Sequence, residues 1–322
     1  MQVKDIYALI EQDFAAVDIL IREQLSSRVP LVEKIADYIV SSGGKRLRPL
    51  LVIMTAKALD KSGTQANKLA AVIEFLHTAT LLHDDVVDTS DMRRGNPTAN
   101  EKWGNAPSVL VGDFLYSRSF QMMVELKNLQ VMGILSNSTC VIAEGEVLQL
   151  VNCKNPDTSE EQYMDVIKGK TAMLFEASTH AAAILCEADA EQEEALKNYG
   201  HNLGMAFQLI DDVLDYEGDA KEMGKNVGDD LAEGKATLPL IHAMREGTEE
   251  QAKLIRKAIR KGGLEDIDAI IEIVKTCGSL EYTKQIARKH VELAQECLNH
   301  LVDSDAKQAL HGLARIAIER NT

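Results

Sequence analysis

The sequence predicts an all-α fold in a single domain that spans residues 1–322. Apolar residues recur at helical spacing in nearly every segment, as at Leu69, Val72, Ile73 and Leu76. Strand-like alternation bounded by hairpin signals is hard to find. Ala, Leu, Glu and Lys are abundant while aromatic residues make up only 4%, and this composition favours helix over strand. No linker or low-complexity tract divides the chain, which favours one domain over two.

The helical pattern continues along the chain and is broken by few loops. The apolar stripes cover residues 65–92, 106–126, 130–151, 159–187, 191–216, 236–245 and 284–300. The predicted loops are a Gly-rich basic segment at 41–49, a tight break at 93–97, a polar segment at 152–159 and a long segment at 217–234. An internal similarity links two of the apolar stretches, LLHDDVVD and QLIDDVLD.

The charge balance and the cysteines exclude several classes of function. The formal net charge of −15 argues against nucleic-acid binding, so any phosphate must be bound locally by metal ions or by a few placed cations. Five scattered cysteines without a CxxC pair argue against a disulfide framework and a zinc site. The acidic, amphipathic N-terminus does not look like a signal peptide, and no run approaches the length of a membrane span. A soluble, cytoplasmic protein is therefore expected.

Two aspartate clusters with the spacing DDxxD are the strongest chemical signal. Each follows an apolar helical stretch, and the members are Asp84, Asp85 and Asp88, then Asp211, Asp212 and Asp215. On a helix, the first and last aspartates of a cluster lie on one face about one turn apart, and the middle one lies close enough to join them. Like charges at this spacing destabilise a helix, and carboxylates at its C-terminus oppose its dipole. A divalent cation would turn both repulsions into attraction, and oxygen-only ligands favour Mg2+ or Ca2+.

The alternative for a single cluster is a solvated acidic helix end. Two near-copies, each after an apolar run and each followed by cations, make this alternative the weaker one. Because Mg2+ usually takes one or two carboxylates plus substrate phosphates, two clusters that face each other predict a phosphorylated ligand between them.

Basic residues near these clusters are suited to bind the phosphates of such a ligand. They are Lys45 and Arg48 in the segment GGKRLRP, Arg93 and Arg94 after the first cluster, and Lys170, Lys225 and Lys235. Guanidinium groups bind phosphate in a bidentate manner, lysine acts as a point charge, and the glycines would let the backbone approach a ligand closely. The alternative for an isolated basic residue on a loop is a solvated side chain. GxGxxG and GxxxxGK[ST] are absent from the sequence, which counts against Rossmann and P-loop nucleotide sites.

His77 and Gln208 lie on the two apolar helices that carry the aspartates. A lone histidine on a helix is more often a satisfied core residue than a ligand. His77 is the better candidate because it stands seven residues, about two helical turns, before Asp84. His83 adjoins the cluster, and the alternative to a binding role for it is a purely structural one.

The chain resembles the trans-isoprenyl diphosphate synthases in the motifs GGKRLRP, LLHDDVVDTSDMRRG, GKTA, FQLIDDVLDY and GKNVGDDLAEGKATLP. These motifs stand in the family's order from residue 43 to 239, and the terminal helices also fit, so the resemblance covers nearly the full chain. It implies an all-α bundle of the isoprenoid-synthase type around a deep central cavity, usually as a homodimer. It also implies an enzyme that adds isopentenyl diphosphate head-to-tail to an allylic diphosphate.

The resemblance implies a role for each candidate residue. The six aspartates would hold three Mg2+ ions on the allylic diphosphate, and the cations that would bind this diphosphate are Arg93, Lys170, Lys225 and Lys235. The residues that would bind isopentenyl diphosphate are Lys45, Arg48, His77 and Arg94. The residues that would border the reacting carbon atoms are Thr171 and Gln208. These motifs show no departure from the family pattern, so nothing indicates an inactive subunit.

The length of the product is expected to depend on an apolar tunnel below the first cluster. Family members with short products resemble one another in a bulky aromatic residue at the position of Ala79 or Thr80. These small residues imply an open tunnel and a long product. The resemblance implies a product of about C40, made from farnesyl diphosphate and used as a quinone side chain. Candidates for closing the tunnel further down are Leu76, Ile73, Met122 and Met123, although methionine at helical spacing is more often ordinary core.

Two other classes of function stay open. A terpene cyclase also uses an aspartate-rich helix and Mg2+, but its second metal motif usually resembles an NSE/DTE pattern, and it needs no second phosphate pocket. The second DDxxD and GGKRLRP therefore argue against it. A non-catalytic helical subunit or a Ca2+-binding scaffold would tolerate the loss of Lys45 or Arg94. Binding of isopentenyl diphosphate separates these alternatives, because only the prenyltransferase requires it.

Overall fold

The computed structural model describes residues 3–217 and 227–319 of the chain, and this part is built of helices, which confirms the predicted fold class. The N-terminal helices are α1 (Val3–Ala8), α2 (Glu11–Gln24), α3 (Pro30–Ser41), α4 (Leu47–Ala58), α5 (Thr64–Val87), α6 (Ala99–Trp103) and α7 (Asn105–Glu125). The middle helices are α8 (Leu129–Asn152), α9 (Glu160–Ile167), a π-helical turn (Lys168–Ala172), α10 (Met173–Leu185) and α11 (Ala190–Glu217). The C-terminal helices are α12 (Asp229–Ala232), α13 (Leu238–Glu246), α14 (Glu249–Lys261), α15 (Ile267–Thr276), α16 (Ser279–Cys297), a 3-10 turn (Leu298–His300) and α17 (Asp305–Glu319).

The chain divides into two compact units. The first consists of Met1–Asn137, Leu174–Asn198 and Cys297–Leu313, and the second consists of Ser138–Met173, Tyr199–Glu296 and Ala314–Thr322. The first aspartate cluster lies in the first unit and the second cluster in the second unit. The expectation of one domain over residues 1–322 stays a prediction, because the compactness of a unit does not tell whether it folds alone.

Helix α5 is the central helix of the first unit. It packs most extensively against α7 and also packs against α4 and α2. All side chains from Leu69 to Leu76 are buried, as expected for a helix enclosed on every side. The helix ends at Val87, so Asp84 and Asp85 lie in its last turn. Because the preceding turns are fixed in the core, these two carboxylates are carried by a rigid element.

The C-terminal part of α11 forms the core of the second unit. Its residues Leu209, Ile210 and Val213 belong to a buried cluster that also contains Leu238, Leu240, Ile255, Ile259 and Ile270. The second aspartate cluster occupies the last two turns of this helix, which again places carboxylates at the end of a buried helical segment.

A short ribbon interrupts the helical pattern after the first cluster. Strands β1 (Met92–Arg93) and β2 (Asn96–Pro97) pair in antiparallel register, with Arg93 opposite Asn96. Arg94 and Gly95 form the turn with φ values of +52° and +74°, the two consecutive left-handed residues of a type I′ turn. The tight break predicted at 93–97 is therefore a hairpin.

Helix α8 is long and apolar enough to cross a membrane, judged by length and composition alone. The mean hydropathy of its most apolar window is 1.2, and 28% of that window is buried. This finding corrects the expectation that no run approaches the length of a membrane span. Ser136, Asn137 and Glu144 interrupt the apolar sequence of this helix, so no uninterrupted apolar run of that length is present. The core helix of a soluble protein has the same length and composition, so α8 by itself is weak support for a span.

Two glycines let α8 and the π-helical turn approach each other closely in the second unit. A Cβ atom on Gly145 would lie 2.8 Å from the backbone nitrogen of Lys170 and 2.9 Å from the carbonyl carbon of Gly169. A Cβ atom on Gly169 would lie 3.2 Å from the Cα atom of Gly145. Only glycine permits this backbone contact, which fixes the position of the turn that carries Lys170 and Thr171.

We expect Gly145→Ala to destabilise the protein, because backbone atoms of the turn must move to admit the methyl group. The expected loss in free energy of unfolding is about 1–3 kcal/mol, which exceeds the gain of up to about 1 kcal/mol from helix propensity. The matched control is Gly133→Ala on the same helix, where a Cβ atom would meet nothing within 4 Å and alanine should be neutral or stabilising. Urea denaturation measures both variants. Equal stability of Gly145→Ala and the unsubstituted protein would contradict the prediction.

Candidate active site

In the first unit, the buried member of the aspartate cluster is Asp85. Its side chain is 0% exposed, and its Oδ1 atom accepts a hydrogen bond from Nε of Arg93 at 2.8 Å and forms an ion pair with Nη2 of the same residue at 2.6 Å. Asp84 and Asp88 are only partly buried. The sequence predicted Asp84 and Asp88 as the principal pair, with Asp85 beside them. Asp85 is instead the enclosed carboxylate, because the ribbon brings Arg93 back to the end of α5.

The donor set of this cluster fits a divalent cation such as Mg2+. The Oδ2 atom of Asp85 is buried and has no hydrogen-bond partner among the described residues. A buried carboxylate oxygen without a donor is costly, and a bound cation would remove that cost. Within residues 3–217 and 227–319, no group of three or more His, Cys, Asp or Glu side chains is already assembled around a metal position. This is compatible with Mg2+, which takes one or two carboxylates and completes its shell with phosphate and water.

Arginine charges act on a buried, neutral histidine, His77, in the first unit. Nη1 of Arg48 lies 3.1 Å from Nε2 of His77. Burial, together with the charges of Arg48 and Arg94, holds the pKa of His77 well below its ordinary value, so the neutral ring accepts this hydrogen bond. Burial raises the pKa of Glu74, and Arg46, Arg48 and Arg94 act in the opposite direction. The cluster concentrates positive charge of the kind that binds phosphate in a bidentate manner.

The glycines of GGKRLRP make room for a guanidinium group. Nη1 of Arg94 donates a hydrogen bond to the carbonyl oxygen of Gly43, and a Cβ atom on Gly44 would lie 2.6 Å from the same guanidinium. Gly44 also has a φ of +136°, which a side chain would disfavour. The close approach that the sequence predicted for a ligand is thus made by Arg94. Lys45 is exposed on this loop, and its carbonyl oxygen accepts a hydrogen bond from the hydroxyl of Tyr7.

In the second unit, a chain of hydrogen bonds joins three of the predicted residues. Oγ1 of Thr171 donates to Oε1 of Gln208 at 2.8 Å, and Nε2 of Gln208 donates to Oδ1 of Asp212 at 2.7 Å. The other oxygen of Asp212, Oδ2, accepts a hydrogen bond of 2.5 Å from the hydroxyl of Tyr163. Each oxygen of this buried carboxylate therefore has one donor.

Further carboxylates lie close to Asp212. Burial raises the pKa of Asp212 well above its ordinary value, the charges of Asp230 and Asp211 raise it further, and the hydrogen bonds from Tyr163 and Gln208 oppose this shift. Asp215 is fully buried, and its Oδ2 atom accepts a hydrogen bond from the backbone N–H of Asp230 at 3.3 Å. A group of buried acids of this kind favours a bound cation, which is the largest local charge that could compensate them.

The network lines a cavity of about 110 Å³ in the second unit. Two predicted lysines lie at the same cavity, where Nζ of Lys170 contacts Oε2 of Glu146 at 2.7 Å and Lys235 forms an ion pair with Glu233. The π-helical turn positions Lys170 together with Thr171, and wide turns of this kind occur frequently at functional sites. The cavity therefore combines two ammonium groups with the hydrogen-bonded chain that ends at Asp212.

The residues of these two sites that were not among the sequence candidates include Glu74, Glu146, Tyr163, Asp230 and Glu233. Asp230 stands in the motif GKNVGDDLAEGKATLP, and Tyr163 precedes Lys170 by seven residues, about two helical turns. The motif position of Asp230 and the spacing of Tyr163 from Lys170 are the sequence features that could have identified these two residues. Lys225, which the sequence predicted to bind phosphate, lies outside the described residues.

The residues predicted to control product length lie in the interior of the first unit. Ala79 is 0% exposed and Leu76 is 2% exposed on α5, and Met123 is 1% exposed on α7. Thr80 is partly buried, and its hydroxyl donates a hydrogen bond to the carbonyl oxygen of His77 at 2.8 Å. Small side chains therefore occupy buried positions one to two turns before Asp84, and their effect on product length stays a prediction.

Comparisons with known proteins identify the family. Residues 29–276 match the family of polyprenyl synthetases. The chain is 52% identical over 322 residues to the octaprenyl diphosphate synthase of Escherichia coli strain K12, with 100% of both chains covered. It is 48% identical over 318 residues to the all-trans-nonaprenyl-diphosphate synthase (geranyl-diphosphate specific) of Rhodobacter capsulatus, with 98% of both chains covered.

A solved structure extends the similarity to three dimensions. The polyprenyl synthase of Caulobacter crescentus CB15, crystallised as a complex with calcium and isoprenyl diphosphate, is 42% identical and superposes with a TM-score of 0.96. The superposition covers 100% of this chain and 98% of that chain. The matched residues 29–276 include both aspartate clusters and all of the predicted phosphate-binding cations. The chain therefore belongs to the polyprenyl synthetase family of prenyltransferases.

Proposed function

We propose that the protein is a long-chain all-trans polyprenyl diphosphate synthase. It condenses isopentenyl diphosphate head-to-tail onto farnesyl diphosphate and stops at about C40, octaprenyl diphosphate. The observation that carries the proposal is that each unit has its own cationic site, with Arg48 and Arg94 beside His77 in the first unit and Lys170 and Lys235 at the cavity of the second. A transferase that joins two diphosphate esters requires two such sites, whereas a terpene cyclase requires one.

The cations divide between the two substrates. Those proposed to bind the allylic diphosphate are Arg93, Lys170, Lys225 and Lys235, and those proposed to bind isopentenyl diphosphate are Lys45, Arg48, His77 and Arg94. The ion pairs of Lys170 with Glu146 and of Arg93 with Asp85 hold two of these cations in position until phosphate oxygens bind. Preformed positions of this kind reduce the entropy lost when the substrate binds.

The aspartates proposed to hold Mg2+, three ions in each active site, are Asp84, Asp85, Asp88, Asp211, Asp212 and Asp215. When bound, the metal supplies positive charge that offsets the negative charge developing on the departing diphosphate. Lys170 and Lys235 are proposed to bind this leaving group, and Thr171 and Gln208 to border the carbon that becomes positively charged. The double bond of isopentenyl diphosphate attacks that carbon, and the proton lost afterwards passes to the departing diphosphate.

The relatives differ in product length and in primer, so the test of function must measure both properties. The Escherichia coli relative is an octaprenyl diphosphate synthase, whereas the Rhodobacter capsulatus relative is a nonaprenyl synthase specific for geranyl diphosphate. The higher identity to the first supports a product of about C40. A chain of this length suits the membrane-anchoring side chain of a quinone such as ubiquinone or menaquinone, and the proposed location of the enzyme is the cytoplasm.

Purified protein incubated with labelled isopentenyl diphosphate, Mg2+ and either farnesyl or geranyl diphosphate tests the function. We expect a Mg2+-dependent ladder that ends mainly at about C40, with farnesyl diphosphate as the better primer, when the dephosphorylated products are sized by chromatography. A dominant product of about C15–C20 would contradict the chain length. A cyclic hydrocarbon formed without uptake of label would favour the cyclase, and no incorporation by a folded sample would favour the non-catalytic subunit.

Ala79→Tyr should shorten the product while the first condensation continues. The position is fully buried on the helix that ends in the first aspartate cluster, so a phenol ring there would fill space that the growing hydrocarbon needs. Overpacking could cost about 1–3 kcal/mol of stability, so a thermal melt accompanies the assay. An unchanged product distribution from a folded Ala79→Tyr protein would show that the hydrocarbon does not pass this position.

We also propose that the protein is a homodimer, and an exposed apolar stripe on α8 supports this. The stripe consists of Cys140, Ala143, Val147, Leu148 and Val151, which follow one another at helical spacing along an open groove that Glu144 also lines. Val147 is 59% exposed and Val151 is 71% exposed. Contiguous apolar surface of this kind marks interaction sites, and a second copy of the chain would cover it about a two-fold axis.

Val147→Glu should convert the dimer to monomer, because it places a charge in the centre of this stripe. Sedimentation velocity at micromolar concentration measures the change. The matched control is Ala269→Glu, which adds the same charge at an exposed position of α15 and should leave the dimer intact. A dimeric Val147→Glu protein would exclude the stripe as the interface, and a monomeric unsubstituted protein would contradict the homodimer.

A further inference from the structure

We propose that Tyr163 is a positioning residue for the carboxylate of Asp212, and that its hydroxyl holds this carboxylate in the orientation that binds a divalent cation. The inference rests on the proposed function, because it requires Asp212 to be a metal ligand. Tyr163 does not contact the substrates in this account, and it acts only through Asp212.

Tyr163 is itself held in a fixed position. It lies on α9, whose start is fixed by a capping box in which the Ser159 hydroxyl and the Gln162 side chain each bond the other residue's backbone N–H. The backbone N–H of Tyr163 donates to the carbonyl oxygen of Ser159 at 3.0 Å. The side chain is 5% exposed and packs in the same buried cluster as Leu209 and Val213 of α11. The ring therefore has little freedom to move away from the carboxylate.

The hydroxyl supplies one half of a two-sided support for Asp212. Tyr163 donates to Oδ2 at 2.5 Å and Gln208 donates to Oδ1 at 2.7 Å, so both oxygens are fixed and the plane of the carboxylate is set. Each carboxylate oxygen has a second lone-pair site that these donors leave available. Tyr163 and Asp212 both line the cavity of the second unit. A cation that enters from the cavity would therefore find a carboxylate whose orientation is already set.

A neutral donor suits this position better than a cation would. Asp212 lies close to the charges of Asp211 and Asp230, and an arginine or lysine paired with it would offset the negative charge that attracts a metal ion. The first unit provides the contrast, since Arg93 pairs directly with Asp85. A hydroxyl orients the carboxylate through a hydrogen bond and places no positive charge beside it. Outer hydrogen-bond partners of metal ligands commonly contribute 10- to 100-fold to metal affinity.

Tyr163→Phe tests the proposal, because it keeps the packed ring and removes one donor. The matched control is Tyr282→Phe in the same unit. The hydroxyl of Tyr282 also donates to a carboxylate, Oε1 of Glu160 on α9, at 2.8 Å. Two quantities are measured on the full-length protein and both variants. The first is the Kd of Mn2+ in the presence of inorganic pyrophosphate, from electron paramagnetic resonance of the free ion. The second is the Mg2+ concentration that gives half-maximal turnover.

We expect Tyr163→Phe to weaken Mn2+ binding by about 10-fold or more and to raise the Mg2+ requirement by a similar factor. Saturating Mg2+ should restore kcat to within about threefold, and KM for isopentenyl diphosphate should not change. Tyr282→Phe should match the unsubstituted protein in all of these quantities. A role limited to folding would lower the melting temperature without this recovery by Mg2+.

Unchanged Mn2+ affinity in Tyr163→Phe, activity that saturating Mg2+ does not restore, or a variant that does not fold would each overturn the proposal. Failure of the proposed function gives a different result. The unsubstituted protein would then form no prenyl product at any Mg2+ concentration, while the comparison of Mn2+ affinities between the three proteins would still report on Tyr163.

Discussion

The enclosure of acidic side chains is the constraint on which both candidate sites depend. Asp85, Asp212 and Asp215 are between 0 and 1% exposed, and each lies at the end of a helix whose preceding turns are packed in a core. Burial of a carboxylate is unfavourable unless hydrogen bonds or opposite charge compensate it. The helix ends add to the cost, because their dipoles oppose negative charge. The surrounding structure supplies this compensation in a different way in each unit.

In the first unit the compensation is a guanidinium group. The type I′ hairpin turns the chain back after α5 and brings Arg93 to Asp85, while Arg94 reaches the glycine loop. In the second unit it consists of neutral donors, with Tyr163 and Gln208 on the two oxygens of Asp212. Lys170 and Lys235 are each paired with a glutamate at the same cavity. Asp85 Oδ2 has no donor among the described residues, and each oxygen of Asp212 keeps a second lone-pair site. Both arrangements therefore leave acceptor positions that a metal ion could occupy beside cations that could bind phosphate.

Much of this arrangement could be predicted from the sequence, because it is encoded locally. Helical periodicity predicted the fold class, and the DDxxD spacing identified the helix ends that carry the acids. The family resemblance named Thr171, Gln208 and Asp212 as site residues, but it did not predict the hydrogen bonds that join them. The roles of Glu74, Glu146 and Tyr163 depend on contacts between helices distant in sequence, as in the 49-residue separation of Tyr163 and Asp212. Asp85 is buried rather than Asp84 because of the hairpin at residues 92–97. Its strands of two residues are too short to give a periodic pattern in the sequence.

The buried carboxylates of each unit are proposed to bind divalent cations together with a diphosphate. Isothermal titration of the protein with inorganic pyrophosphate, at zero and at saturating free Mg2+, tests this proposal most directly. We expect Mg2+ to tighten pyrophosphate binding by on the order of 10- to 100-fold, and Asp85→Asn and Asp212→Asn each to remove most of this coupling. Pyrophosphate binding that is independent of Mg2+, or coupling that survives both substitutions, would show that these carboxylates do not bind the metal.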